Sequence, residues 1–312
     1  MISIIITSFK EPKTIGRAIE AFQNQKGVKE QFEIIVAAPD EETLNVARKY
    51  AKKDKKIKIF KDPGKGKSYA LNLLLAKIKG EIIILSDGDV YVSENSVQEI
   101  LKKFEDSENR KFSDSSKEET FEDKKVGCVS GRPVSIDSKN NIFGYWSHLL
   151  TDSAHKLREK SNKKGFLECS GYLWAFRNKI IKKFPLDVGE DTIVPIMFYL
   201  KGMRIEYAPK AKVFVSYPKN LKDFLKQKRR TAGAHDNISE YVSLEKIPRM
   251  KTFLNELSGS FFVLVYPRNF KELFYTFLLF PVRFYIWLSL IYNLKIKGRK
   301  YTDSWKRIES TK

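Results

Sequence analysis

The chain has 312 residues and a formal net charge of +20, with 42% hydrophobic and 31% charged residues. That balance excludes a disordered polyelectrolyte and allows one large domain with an appendage, or two domains. A basic surface of this size suits polyanions: phosphates, anionic lipid headgroups or nucleic acid.

The opening run Ile2–Ile6 lacks a basic start and is too short for a signal peptide, so it reads as a strand and the folded part is expected in the cytoplasm. Four short apolar runs, 2–7, 32–38, 56–60 and 81–86, are rich in Ile and Val and mostly lack strict alternation. Strands covered on both faces read this way. Stripes of helical period lie between them: Ile15, Ile19 and Phe22, then Val46 and Tyr50, then Ala70, Leu74 and Ile78. Alternating strand and helix predict an α/β fold with a mainly parallel sheet, and Gly80 is placed as the cap that ends the third helix.

Residues 105–125 hold Ser, Glu, Asp and Lys with few apolar positions and read as a charged surface insertion. Further strands are expected at 126–129, 204–207 and 212–216, and helices at 141–159, 191–200 and 220–230.

The tail differs. Residues 273–294 (LFYTFLLFPVRFYIWLSLIYNL) are almost wholly apolar and aromatic. At ~1.5 Å per residue they reach across a bilayer core of about 30 Å. Arg283 at the centre costs about 2.5–3.5 kcal/mol, and Pro281 interrupts the helix. Lys295, Lys297, Arg299 and Lys300 follow, so a single span would put the more basic flank outside. The expectation is a kinked helix or helix pair lying in the membrane interface, with a single span and an ordinary buried helix or oligomer contact as the alternatives.

Asp87-Gly88-Asp89 closes the fourth apolar run. Ligand crevices of open α/β sheets lie at the carboxyl ends of strands, and Mg²⁺ is commonly held by one or two carboxylates plus substrate phosphates. The same three residues also suit a solvated turn. Asp40 ends the second run, and Ser8, Lys10 and Glu11 follow the first, so polar groups gather on one rim. Pro63–Ser68 (PGKGKS) puts Gly-rich backbone and two lysines at a helix start, which favours anions, but position 61 is Lys, so this is no P-loop. Glu190-Asp191 begins a helix, as a favourable N-terminal charge or as a general base. His148, His155 and His235 lack metal-ligand spacing. Cys128 and Cys169 do too, and no disulfide framework follows from two cysteines.

In this order the pieces resemble inverting family 2 glycosyltransferases with the GT-A fold, over roughly residues 1–235. Ser3–Glu11 (SIIITSFKE) resembles the family's first strand and nucleotide-binding turn, which implies Thr7, Ser8 and Glu11 at the nucleotide. Asp40 resembles its base- or ribose-contacting aspartate, and Lys65–Asn72 (KGKSYALN) its helix after the third strand, with Lys67 at the donor. Asp87-Gly88-Asp89 matches its D-x-D metal motif, and Gly189-Glu190-Asp191 its E-D pair, whose aspartate is the catalytic base. Gln227–Thr231 (QKRRT) resembles the Q-x-x-R-W motif of the membrane-associated synthases, with Thr231 in place of Trp. Ser170-Gly171 resembles the loop under the acceptor sugar, and Arg132 is placed at the donor sugar.

The resemblance implies a GT-A catalytic domain over 1–235, with a nucleotide-binding half 1–90 and an acceptor half 126–235, followed by a membrane-associating helical region 236–312. It implies a hexosyltransferase that uses Mg²⁺ or Mn²⁺ and a nucleotide-sugar donor. The metal would be held through Asp89 with Asp87, Asp191 would deprotonate the acceptor, and Arg230 with Gln227 would face the diphosphate. The apolar tail adds a lipid-linked or membrane-bound acceptor at the cytoplasmic face of the cell membrane. A polysaccharide synthase and a sugar nucleotidyltransferase are the alternatives within related chemistry. A nucleic-acid-binding protein is disfavoured, because the lysines scatter over several helices and loops rather than forming one basic reading helix.

Overall fold

In the computed structural model, residues 1–109, 124–233, 237–243, 245, 247–248, 260–292 and 309–311 are described. The nucleus is β1 (Ile2–Thr7), α1 (Ile15–Gln23), β2 (Phe32–Ala38), α2 (Glu41–Ala51), β3 (Ile57–Lys61), α3 (Lys67–Leu75) and β4 (Ile82–Asp87). β1 is buried at every position, as a strand with helices on both faces must be. The stripe Ile15, Ile19 and Phe22 is buried against it.

Beyond β4 come β5 (Tyr91–Val92), α4 (Ser96–Asn109), β6 (Val126–Ser135), α5 (Ile142–Asn162), β7 (Leu173–Arg177), α6 (Glu190–Leu200), β8 (Arg204–Val215) and α7 (Leu221–Gly233). Together they form one eight-stranded sheet in the order β3-β2-β1-β4-β7-β6-β8-β5. β3, β2, β1 and β4 are parallel, β7 runs antiparallel to both β4 and β6, and β8 is parallel to β6. The sheet is therefore mixed and mainly parallel. The carboxyl ends of β1, β2, β3, β4 and β6 open on one rim, together with the amino end of β7.

The structure corrects several boundaries. Two expected strands at 204–207 and 212–216 are one strand, because Pro209 sits within β8 without breaking it. β6 likewise runs on through Pro133 to Ser135. β5 and β7 were not anticipated. α4 reaches Asn109, into the expected insertion, and 110–123 lie outside the described residues. Gly80 does not cap α3, which ends at Leu75 with Ala76 as its cap. Instead Gly80 lies against β1: a Cβ there would stand 2.5 Å from the Ser3 amide nitrogen.

Two short helices, α8 (Ile238–Tyr241) and α9 (Ser260–Val265), precede α10 (Phe270–Ile291). Asn269 caps α10 by accepting from the Glu272 N–H, and the helix runs unbroken through Pro281. It is one helix, not a pair. Its inner side packs with α5 and α7 in a cluster of Tyr145, Trp146, Leu149, Phe224, Leu279 and Ile286. Two polar ties fix the register: Tyr145 Oη to Thr276 Oγ1 at 2.6 Å, and Trp146 Nε1 donating to the Tyr275 carbonyl at 2.6 Å. Its outer side exposes Phe270 (90%), Phe274 (60%) and Phe284 (64%), with Phe277 and Leu288 also exposed. Among the described residues no helix is long and apolar enough to cross a membrane.

Candidate active site

Thr7, the last residue of β1, lies in register with Asp87, the last residue of β4. Thr7 Oγ1 donates to Asp87 Oδ1 at 3.2 Å, and the Gly88 N–H donates to the Thr7 carbonyl at 2.8 Å. The turn after β4 is thus pinned to the end of β1. Gly88 is required by that contact: a Cβ would lie 2.3 Å from Ser8 Oγ and 2.7 Å from Glu11 Oε2. Ser8 Oγ itself donates to Glu11 Oε2 at 2.7 Å. Ser8 and Glu11 therefore brace the Asp-Gly-Asp turn from below.

Lys67, the first residue of α3, bridges two carboxylates. Its Nζ is 2.8 Å from Asp87 Oδ1 and 2.8 Å from Glu190 Oε1, with side-chain exposures of 13%, 29% and 8% for Lys67, Asp87 and Glu190. Burial alone depresses a lysine pKa, but Asp87 and Glu190 outweigh it and hold the ammonium well above its ordinary value. Lys67 is a fixed internal cation that joins the β4 turn to the start of α6. It was anticipated at the donor; in the structure its charge is engaged by these two protein carboxylates.

Gly189 precedes the first turn of α6, which carries Glu190 and Asp191. Asp191 faces the loop before β7: a Cβ on Gly171 would lie 2.9 Å from Asp191 Oδ2. Ser170 is buried, and its amide donates to Ser130 Oγ at 3.0 Å, which anchors that loop. The next residue, Tyr172, ties the loop to β4 through Ser86 Oγ, which donates to the Tyr172 carbonyl at 2.9 Å. Burial, then the neighbouring Tyr217 and Asp89, push the Tyr172 phenol well above its usual pKa, while Arg230 acts in the opposite direction. Asp87, Asp89 and Arg230 thus all lie within electrostatic reach of Tyr172. Tyr217 is itself raised to about 12, chiefly by burial, with the Tyr172 phenol acting in the opposite direction.

One rim therefore gathers Thr7, Ser8, Glu11, Lys67, Asp87, Asp89, Ser170, Gly171, Glu190, Asp191 and Arg230. Asp40 stands at the same rim, but both its oxygens are engaged. Oδ1 caps α2 through the Thr43 N–H at 2.9 Å, and Oδ2 accepts from the Lys10 N–H at 2.7 Å. Gln227 is 7% exposed and its Oε1 is buried with no hydrogen-bond partner among the described residues, whereas Arg230 of the same helix is exposed. Arg132 is not brought to this cluster. It pairs with Asp152 at 3.8 Å and lines a separate cavity with His155, Lys210 and Lys212.

Sequence reasoning missed Tyr172 and Asp62. Asp62 follows β3 as Asp40 follows β2, and that parallel was the available signal. It is 3% exposed; Oδ1 accepts from the Gly64 N–H at 2.6 Å, and Oδ2 has no partner among the described residues. Burial raises its pKa, with a smaller push from Asp40. The two cysteines are buried thiols raised by burial, which disfavours nucleophilic roles.

Among the described residues no group of three or more His, Cys, Asp or Glu side chains is arranged to hold a metal. The donor set instead fits a cation that is completed by its substrate. Asp87 and Asp89 are hard oxygen donors flanking one glycine, Lys67 already neutralises part of Asp87, and Mg²⁺-type sites routinely take the rest of their ligands from phosphates and water.

A mixed α/β sheet with paired carboxylates on its strand-end rim defines a GT-A-like fold. The Glycosyl transferase family 2 model matches residues 3–184, and the chain belongs to that family. The match ends before Glu190 and Asp191, so their placement rests on the contacts above. The probable glycosyltransferase YdaM of Bacillus subtilis is 25% identical over 296 residues, 91% of this chain and 63% of that protein. The poly-beta-1,6-N-acetyl-D-glucosamine synthase of Staphylococcus aureus is 23% identical over 265 residues, 81% of this chain and 59% of that one. The chain thus spans about three fifths of the length of these relatives. Among solved structures, the mannosyltransferase PcManGT from Pyrobaculum calidifontis, in complex with GDP-Man and Mn²⁺, shares the fold. Its TM-score is 0.57 at 16% identity, covering 94% of this chain and 80% of that one.

Proposed function

We propose that the chain transfers a sugar from a nucleoside-diphosphate donor to an acceptor hydroxyl in one inverting displacement, with Asp191 as the base. The observation that carries this is the approach of Asp191 to the Gly171 loop on the rim that also holds Asp87, Asp89 and Arg230. A general base must lie within hydrogen-bond reach of the proton it takes. Gly171 has no side chain to fill the space in front of the Asp191 carboxylate, so an acceptor hydroxyl has room there.

Asp89, with Asp87 beside it, would hold Mg²⁺ or Mn²⁺; the bound metal supplies charge neutralisation for the departing diphosphate. The protein adds its own cations. Lys67 fixes Asp87 and Glu190, so the first turn of α6 and the β4 turn keep a constant separation while the sugar moves between them. Arg230, exposed at the end of α7, is placed to add positive charge to the leaving diphosphate. Tyr172, held protonated by burial, keeps a neutral phenol within the electrostatic reach of Asp89 and Arg230. The complex of the mannosyltransferase PcManGT with GDP-Man and Mn²⁺ supports a nucleotide-sugar donor and a divalent cation.

The acceptor is proposed to be membrane-bound or lipid-linked, at the cytoplasmic face of the cell membrane. The support is the outer face of α10, whose phenylalanines have no covering element among the described residues, on a chain of net charge +20. A helix docked along one side and apolar on the other suits an interfacial position, attracted by anionic lipid.

The test is a panel of nucleotide sugars incubated with the protein in Mg²⁺, Mn²⁺ and chelator, with release of free nucleoside diphosphate as the readout. Metal-dependent release from at least one donor is the expected result. No release from any member of the panel, with or without a lipid extract as acceptor, contradicts the proposal.

A further inference from the structure

The cavity around Arg132 lies apart from the donor rim and has a volume of about 410 Å³, within the ~300–1,000 Å³ range of small-molecule sites. Three cations line it: Arg132 from β6 and Lys210 and Lys212 from β8. Lys210 and Lys212 are exposed and make no ion pair among the described residues. Among the described residues Arg132 Nε is buried without a hydrogen-bond partner, and its ion pair there is a long one of 3.8 Å to Asp152. A buried guanidinium N–H without an acceptor is costly, and a ligand oxygen would satisfy it.

The opposing charges are weaker. Glu159 lies 3.6 Å from His155 Nε2, but its side chain is 53% exposed. Asp152 also accepts from Tyr266 Oη at 2.7 Å, so its charge is shared. His155 Nδ1 is 2.9 Å from Tyr207 Oη. Burial, then Arg132, lower the His155 pKa.

We propose that this cavity binds a phosphomonoester, with Arg132, Lys210 and Lys212 converging on the phosphate oxygens. Arg and Lys together suit a dianion better than a single carboxylate, because the guanidinium presents paired donors and the ammoniums add point charge. The volume leaves room for the group the phosphate is esterified to. Through Asp152 and Tyr266, and through Lys156 set 4.2 Å from the Phe262 ring centre, α5 connects the cavity to α9 and the turn that leads into α10. A lipid phosphate headgroup and a soluble phosphomonoester share this chemistry. The proposal uses none of Asp87, Asp89 or Asp191 and stands independently of the donor reading.

His155 is the reporter. The sequence contains three histidines, and a His155→Gln variant identifies its ring signal in the NMR spectrum of the full chain with labelled histidine. The titration midpoint of that signal is followed in inorganic phosphate, then in dihexanoyl phosphatidic acid below its micelle concentration, against chloride at equal ionic strength. The expected result is a shift to higher pH in phosphate, because a bound dianion stabilises the imidazolium. The Lys210→Gln/Lys212→Gln double variant should bind phosphate at least tenfold more weakly in this titration. Tighter half-saturation by phosphatidic acid assigns the lipid headgroup, and equal values assign a soluble phosphomonoester. A midpoint that phosphate leaves unmoved, or that moves equally in the double variant, overturns the proposal.

Discussion

Lys67 shows how much of the site is decided by single side chains. Its ammonium sits between Asp87 and Glu190 with both partners mostly withdrawn from water. Removing one member of such a group leaves uncompensated buried charge, at about 3–5 kcal/mol. Lys67→Met should therefore lower the unfolding midpoint strongly and reduce turnover, and thermal unfolding beside a kinetic assay checks both. Asp62 gives the opposite case. Its folded pKa is raised by burial, so its favourable, protonated state is fully present only below the unfolded carboxylate pKa. Its contribution to stability is lost as pH rises through the folded value. Asp62→Asn keeps an acceptor for the Gly64 N–H and removes that charge. It should raise the unfolding temperature at neutral pH, with the gain vanishing in acid below about pH 4. Equal midpoints for the two proteins at pH 7 would refute this account of Asp62.

At the level of elements, the site depends on two glycines where loops approach too closely for any side chain. At Gly88, a methyl group would push into Ser8 and Glu11, and overpacking of this kind costs about 1–3 kcal/mol. Gly88→Ala should lose both stability and turnover. At Gly171 the same change meets only the end of the Asp191 carboxylate, at 2.9 Å. Gly171→Ala should leave the unfolding temperature nearly unchanged while depressing kcat; a variant with normal kcat would remove Asp191 from the acceptor side. The strands that carry the nucleotide half were readable because β1, β2 and β4 are mostly apolar, broken before their closing residues only by Ser3 and Glu33. β7 was not, since Leu173–Arg177 pairs with β4 and β6 only through long-range contacts. β8 was expected as two strands; Pro is rare inside a strand, yet the pairing of β8 with β6 resumes at Lys212 after a register shift. The Asp-Gly-Asp turn could be found from its place after a strand. The joining of residues 67, 87 and 190 could not, because nothing local in the sequence reports which side chains a fold brings together.

For the whole molecule, the donor rim and the aromatic face of α10 are held in one framework by α5 and α7, which pack against α10. Phe274 and Phe284, on its outer face, are 60% and 64% exposed. Phe274→Asp/Phe284→Asp should leave the fold intact and release the protein from vesicles containing anionic lipid, as read by co-sedimentation. Vesicle binding unchanged by the double substitution would assign that face another role, such as contact with a second copy of the chain. The central claim is that Asp191 takes the acceptor proton while the fold stays as it is. It is tested most directly by the turnover of Asp191→Asn with the donor identified from the panel, alongside its unfolding temperature and donor affinity. General-base removal lowers rate by about 10²–10⁴-fold. The account predicts a loss of at least that order with donor binding and stability preserved; turnover within a few-fold of wild type would contradict it.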